Sequence, residues 1–420
     1  MIKLIRFSNE LSSDTIVLSR RIHLGDIIVE SLKRINSRIL LILFGLLITN
    51  TASFMVLPFL SLYLGRIHLS PVMIGVVLTV NVACQRGLIF VGGMLNDRFG
   101  ERRLLVIGMF VRMNGYLLYG VAGHIASIIF ASALVGLGGA LFAPGLMSSI
   151  AKLAGKRKAD VFALRNTVVS LGSAVGPILG GLLYSKSIFW VFMLTALAHF
   201  LFLLMLWLGG PKQIQAEKKP RMAVLFASAI KSRQMRTIVL LNAIFWFVYS
   251  QFNLTIPLYL DRNFHAADMN GILFTLNGIV VILFQYPTTL ILSRRLSDRR
   301  ILLLSFLLMA GAYLFIGNVP TLAAMFLFVL LFSTSEVLAA PTINNLVSEH
   351  ATTQMLATYY GFIDIGWAAG ATLGNLLGGL FFGWAANGAH YAWLWDAYAL
   401  LCLAAMGLIG TDKLLGKRAI

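Results

Sequence analysis

The sequence predicts an all-α membrane protein of twelve transmembrane helices, arranged as two six-helix halves related by pseudo-symmetry. Three observations carry this reading. Apolar runs of about 20 residues recur from one end of the 420-residue chain to the other, each long enough to cross a hydrocarbon core of roughly 30 Å. Landmarks of the first half return in the second at a nearly constant spacing. With the N-terminus set on the inner side, 29 of the 34 Lys and Arg residues fall on that side, which is the positive-inside asymmetry of a multi-pass protein with both termini in the cytoplasm. Composition agrees: 59% hydrophobic and 12% charged residues, with a mean hydropathy of +0.85, exclude a soluble globule.

Taken in order, the spans are read at 38–62, 71–95, 102–122, 125–151, 162–184, 188–208, 236–260, 269–292, 301–318, 320–347, 356–383 and 390–410. They group into a cytoplasmic segment 1–37, a first half 38–208, a basic linker 209–235, a second half 236–411 and a short tail 412–420. In the first segment Leu24, Ile27, Ile28, Leu32 and Ile35 share a helical face beside Arg20, Arg21, Lys33 and Arg34. That pattern suits either a short helix on the anionic inner surface or a loosely ordered leader; it contains no signal-peptide apolar core. The net charge of +18 would suit a nucleic-acid partner, but its placement in the loops makes it topology instead. Cys84 and Cys402 lie inside spans, so no disulfide framework is expected. Nothing matches GxxxxGK[ST], and an ATP-driven motor is not expected.

The internal repeat is visible at four places. "GSAVGPILGGLL" at 172–183 returns as "GATLGNLLGGLF" at 370–381, and "LFAP" ending at Pro144 returns as "LAAP" ending at Pro341. Pro58 is echoed by Pro257, and Asp97 in "LNDRFGERR" pairs with Asp298 in "LSDRR". Gly172, Gly176 and Gly180 lie on one helical stripe that lets a neighbouring backbone approach closely in lipid. Pro177 lacks a donor for the Ser173 carbonyl and bends the helix. A tight seam between the two halves is the expectation.

Together these residues resemble the major facilitator superfamily, over all twelve spans. Gly93-Met-Leu95-Asn-Asp97-Arg98-Phe-Gly100-Glu-Arg102-Arg103 resembles its signature between spans 2 and 3. Gly172, Gly176, Pro177, Gly180 and Gly181 resemble its fifth-span antiporter motif, and the branch most similar is the bacterial drug:proton antiporters of the inner membrane. The resemblance implies the major facilitator fold, a small-molecule substrate, the proton as coupling ion with no other cofactor, and a monomer in the lipid bilayer. It also implies that Gly93, Asp97, Arg98, Gly100 and Arg103 form a latch. Asp97 would meet the positive N-terminal end of span 11 when the outward-facing state forms.

Three acids lie inside spans: Glu336, Asp364 and Asp396. Each is costly there and marks a candidate site. Glu336 stands in "SEVLAAP", which resembles the span-10 sequence of related multidrug antiporters. A carboxyl in the central cavity can take a proton from one side and release it to the other. The competing reading pairs it with a buried Arg86 or Arg112. Asp364 in span 11 matches Asn166 in span 5 and is a second candidate. Asp396 and His199 read as structural, His199 packed or at the lipid boundary. Arg86 and Arg112 either balance the acids or attract an anionic substrate. The sequence departs from its relatives in having Ser132 where span 4 often carries an Arg, and Asn253 where span 7 can carry an acid. Trp246, Phe247, Tyr249, Gln251, Phe252, Asn253, Asn50, Phe54 and Met55 are candidate cargo contacts. The function expected is proton-coupled export of amphipathic compounds. The alternatives are a dedicated exporter of a natural product such as a siderophore, an uptake symporter, and a non-transporting receptor derived from a carrier. No catalytic constellation is apparent, so an enzyme is not expected.

Overall fold

The computed structural model describes residues 36–210, 232–350, 356–388 and 391–411, and every element among them is helical. Most of the segment 1–37, most of the linker 209–235 and the tail 412–420 lie outside the described residues. Eleven helical segments are long and apolar enough to cross a membrane. Span 8, Met269–Arg295, is a 27-residue helix whose apolar portion runs over Met269–Gln285. The remaining spans are span 1 Ser37–Arg66, span 3 Glu101–Val121, span 4 Ile125–Ala154, span 5 Lys158–Tyr184, span 6 Ile188–Gly209, span 9 Asp298–Asn318, span 10 Leu322–His350, span 11 Leu356–Gly388 and span 12 Ala392–Thr411, with spans 2 and 7 broken into pieces. Helix starts follow the polar caps: Asn36, Ser70 and Ser232 each accept a backbone N–H from the first turn, and Pro71 occupies the first helical position, where no donor is missed.

Two spans are interrupted where the sequence reads as continuous helix. Span 2 runs Pro71–Val82, widens into a π-helical turn at Ala83–Gly87, and resumes at Ile89–Phe99. Span 7 runs Arg233–Tyr249, tightens into a 3-10 turn at Ser250–Phe252, and resumes at Thr255–Phe264. Pro257 cannot donate to the carbonyl four residues back, at Asn253. The chain bridges the gap with i→i−3 bonds from Asn253 N to Ser250 O and from Leu254 N to Gln251 O, 3.1 and 3.3 Å. The other intrahelical prolines, Pro58, Pro144, Pro177, Pro287 and Pro341, sit in uninterrupted helices.

Within the first half, span 1 packs on spans 5 and 6, and span 3 on spans 4 and 6; the second half repeats this with span 7 on span 11 and span 9 on spans 10 and 12. The glycine stripe corrects one expectation. Gly172, Gly176 and Gly180 lie against Asn50, Thr51, Phe54 and Met55 of span 1, inside their own half. Gly370, Gly374 and Gly378 do the same against Ala243, Phe247, Ser250 and Gln251 of span 7. The stripes therefore seal 1 to 5 and 7 to 11. The halves meet on the neighbouring helix faces. Gly181 and the Pro177 carbonyl abut Gly271 of span 8, Ala174 abuts Gly278, and Gly379 abuts Pro71 and Gly75 of span 2. Thr79 Oγ1 donates to Thr372 O at 3.1 Å, and Asn270 Nδ2 donates to Pro58 O. These cross-half contacts lie between mid-bundle and the end away from the basic loops, so that end is shut. Toward the basic end, Ile89–Phe99 takes its neighbours from spans 3 and 4 of its own half, and a Cβ at Gly93 would meet open space.

The structure also re-registers the repeat at the basic end. The counterpart of Asp298 is Glu101, not Asp97: both open 21-residue helices. Glu101 accepts from Ser148 Oγ at 2.8 Å and from Lys152 Nζ on span 4, while Asp298 accepts from Asn345 Nδ2 on span 10 at 2.7 Å. The next residue repeats as well. Arg102 donates to Trp207 O at the end of span 6 at 2.7 Å, and Arg299 donates to Gly410 O at the end of span 12 at 2.6 Å. Each arginine caps the carbonyl end of a helix.

Because a side chain at Gly176 would overlap Thr51 O and Phe54 Cβ, Gly176→Leu is expected to cost about 1–3 kcal/mol of stability. Gly93→Ala, with free space around it inside the helix Ile89–Phe99, is expected to raise stability by about 0.5–1 kcal/mol. Thermal unfolding of the two purified variants in detergent measures the contrast.

Candidate functional site

Five spans place a chain of polar and aromatic side chains across the middle of the bundle. Glu336 stands in span 10, five residues before Pro341. Its Oε1 accepts from Tyr249 Oη of span 7 at 3.2 Å and its Oε2 from Asn277 Nδ2 of span 8 at 2.9 Å. Asn277 Nδ2 also donates to Ser333 Oγ at 2.9 Å. Tyr249 packs tilted against Trp246 with ring centroids 4.7 Å apart, and Trp246 tilted against Trp367 of span 11 at 4.6 Å. The chain crosses to the other half at Arg86, whose guanidinium carbon lies 3.0 Å from the centre of the Trp367 ring. Asp364, one helical turn before Trp367, interacts electrostatically with Arg86 outside direct ion-pair contact.

Local structure explains these positions. Arg86 rides on the π-helical turn of span 2, whose widened backbone turns it toward the second half; such turns often sit at functional sites. Trp246 and Tyr249 end the first piece of span 7, directly before its break. Arg86, Trp246, Tyr249, Asn277, Glu336, Asp364 and Trp367 are all half-buried, whereas their neighbours Phe245, Val248, Phe332 and Ser333 are buried. The seven therefore line a surface that the packed core supports from behind.

The sequence-derived candidates divide against this frame. Glu336, Asp364 and Arg86 come together. Arg112 does not: it packs on span 4 at Gly138 and lies near His199 of span 6, within the first half. Of the two arginines offered as partners of Glu336, neither pairs with it. Its partners are the neutral Tyr249 and Asn277. Asn253 sits in the break of span 7, half-buried, and serves the turn through its backbone. Gln251 is a structural hub, its amide donating to Phe247 O and Gly374 O and accepting from Tyr398 Oη. Phe252 is buried among Phe274, Phe328 and Phe332. His199 is fully buried against Tyr116, centroids 4.9 Å apart, which places it in the core and not at the lipid boundary. Ser132, where relatives can carry an Arg, donates to Val77 O at 2.5 Å and ties span 4 to span 2. Asn166 is exposed and accepts from Arg165 at 2.8 Å.

In the loop between spans 2 and 3, Gly100 adopts φ +86, the left-handed backbone that favours glycine. Arg98 lies over Phe99 at 5.4 Å and Arg103 is exposed. The side chain of Asp97 and the approach to span 11 at 351–355 lie outside the described residues. Sequence reading missed Trp367 and Asn277. A Trp one turn before the first glycine of the second stripe, and an Asn within an apolar span, were the available signals; nothing in the sequence says that they share a site with Glu336.

The family model for the Major Facilitator Superfamily matches residues 42–375 and, again, 238–412. The chain belongs to the major facilitator superfamily. Among superfamily members it is 27% identical over 358 residues to an MFS-type transporter of Mycobacterium tuberculosis, covering 81% of this chain and 84% of the relative. It is 25% identical over 334 residues to the multidrug resistance protein MdtH of Shigella dysenteriae serotype 1, covering 78% and 82%. A solved nucleoside transporter, NupG, superposes with a TM-score of 0.77 at 14% identity, over 88% of this chain and 99% of that one. A peptide transporter bound to sulfate gives 0.73 at 15% identity, over 89% and 94%. At these identities the two solved structures share the fold. The chain is thus a multi-pass membrane transporter of the superfamily, similar to the drug:proton antiporter branch.

Removing the Glu336 carboxyl leaves the half-buried Tyr249 hydroxyl without its acceptor and Asn277 Nδ2 with Ser333 Oγ alone, so Glu336→Ala is expected to cost about 1–3 kcal/mol of stability. Glu336→Gln, which retains an acceptor and fills the same space, is expected to lose less than half of that. Comparing their thermal unfolding with wild type separates the structural part of this residue from any part in transport.

Proposed function

We propose that this transporter exports amphipathic compounds in exchange for protons, by rocking its two halves around a mid-bundle site. Glu336 is the coupling carboxyl. The observation that carries the reading is the company it keeps: a half-buried acid in the middle of the bundle, held by the neutral donors Tyr249 and Asn277 rather than by a cation. An acid with a fixed positive partner is committed to one charge state, whereas one held by neutral groups can load and unload a proton as access alternates. The aromatic lining of Trp246, Tyr249 and Trp367 suits a bulky amphipathic cargo, and the similarity to multidrug resistance proteins supports that cargo class.

The basic end, with Arg102, Arg103, Arg299 and Arg300, is assigned to the cytoplasm on the positive-inside rule. On that assignment the arrangement is closed to the outside and parted toward the cytoplasm. The open space at Gly93 is where span 11 would approach when the cytoplasmic side shuts and Asp97, Arg98, Gly100 and Arg103 act as the latch. Gly172, Gly176, Pro177, Gly180 and Gly181 keep the first half rigid and sealed as it moves, which supports exchange over leak.

The test is uptake into liposomes of inverted protein under an imposed pH gradient, with lipophilic cations and anionic chelators compared. Gradient-driven movement of several cations, abolished by Glu336→Gln in a variant of wild-type stability, is the expected result. Transport of one anion that is indifferent to Glu336→Gln would overturn the assignment and favour a dedicated natural-product exporter.

A further inference from the structure

Arg86 occupies an unusual place. Its guanidinium carbon lies over the Trp367 ring, 3.0 Å from the centroid, and Trp367 continues through Trp246 and Tyr249 to the Glu336 carboxyl. The platform thus has a cation already seated on it and carboxyl groups at both ends, Asp364 beside Arg86 and Glu336 beyond Tyr249. The seated cation belongs to the first half, while the platform and both acids belong to the second. It is a planar cation on an indole face, the arrangement that cation–π attraction favours most.

Resting on the reading of this site as the transport site, we infer that Arg86 is an internal competitor for the substrate subsite, and that the subsite selects planar aromatic cations. A flat cationic ring system can take the place of the guanidinium on Trp367, with Asp364, which already interacts electrostatically with Arg86, to balance its charge. The displaced Arg86 stays close enough to Asp364 to be held there by charge. Cations without a flat face, such as tetraalkylammonium ions, gain the charge attraction but not the stacking, and displace Arg86 less well.

The displacement also links binding to movement. The stack is a contact between the halves at mid-bundle, and a ligand that replaces Arg86 removes it. A ligand shifts a conformational equilibrium only through contacts that differ between the states, and this contact is one that the ligand itself undoes. Other contacts between the halves, at Gly75, Gly181, Gly271 and Gly379, are backbone packing that no ligand in the site touches.

The experiment is equilibrium binding to the purified full-length protein in lipid nanodiscs, with no pH gradient, using ethidium as the planar cation and tetraethylammonium as the control. Arg86→Gln is expected to tighten ethidium binding about tenfold, the loss of one cation–π competitor, with tetraethylammonium changed less than threefold. Trp367→Leu is expected to abolish ethidium binding and, combined with Arg86→Gln, to erase the gain. Trp367→Phe keeps a ring and is expected to bind at intermediate strength, which guards against a leucine variant that fails to fold. Ethidium binding that is weakened or unchanged in a folded Arg86→Gln protein overturns the inference, as does an equal gain for tetraethylammonium. Because this assay uses no gradient, its failure is distinct from a failure of proton coupling at Glu336, which only the liposome assay reads.

Discussion

Close backbone contact between helices is the constraint on which the rest of this molecule depends. In lipid there is little hydrophobic force to bring one helix to another, so packing has to come from surfaces smooth enough to touch. Gly172, Gly176 and Gly180 provide such a surface for span 1, and Gly370, Gly374 and Gly378 for span 7. These two seams make each half a rigid unit. Gly75 with Gly379, and Gly181 with Gly271, do the same between halves at the closed end. Added side chains at Gly75, Gly176, Gly180, Gly370, Gly374 and Gly379 would overlap backbone atoms, which cannot rotate away as a side chain can.

With the seams fixed, the broken spans acquire their meaning. The π-helical turn at Ala83–Gly87 and the 3-10 turn at Ser250–Phe252 each depart from regular helix near mid-bundle. Irregular backbone at that depth has to be buried in protein or line a cavity. Here one presents Arg86 and the other ends the helix that carries Trp246 and Tyr249. The polar chain from Arg86 to Asn277 is assembled from pieces the rigid seams hold in register, so a displacement of one half against the other acts on the chain at Arg86 and Trp367.

The basic end shows a different use of the same symmetry. Glu101 and Asp298 tie spans 3 and 9 to spans 4 and 10, and Arg102 and Arg299 cap spans 6 and 12. Together they bind the peripheral helices into each half where few cross-half contacts reach. Part of the family signature between spans 2 and 3, Glu101 and Arg102, is therefore occupied in holding one half together.

Helix number and the twofold repeat were legible in the sequence, because each arises from a local rule: apolar length against bilayer thickness, and the periodic return of glycine and proline. Glu336, Asp364 and Arg86 were legible as candidates for the same reason, since a charge inside an apolar run is visible without knowing its neighbours. What touches them was not. The glycine stripe read as a seam between the halves, and only the rotation of span 5 about its axis turned it toward span 1 of its own half. Asp298 looked like the partner of Asp97 by its neighbours in sequence, and the true counterpart, Glu101, appeared only when both were seen to open a helix and bond the next one. Trp367 and Asn277 joined the site through contacts between residues far apart in the chain. The sequence by itself determined which segments are long and apolar enough to cross the membrane and in what order, since those depend on the chain and the solvent alone. The tertiary structure decided which faces meet, because that depends on the fit of two surfaces whose shapes no single segment contains.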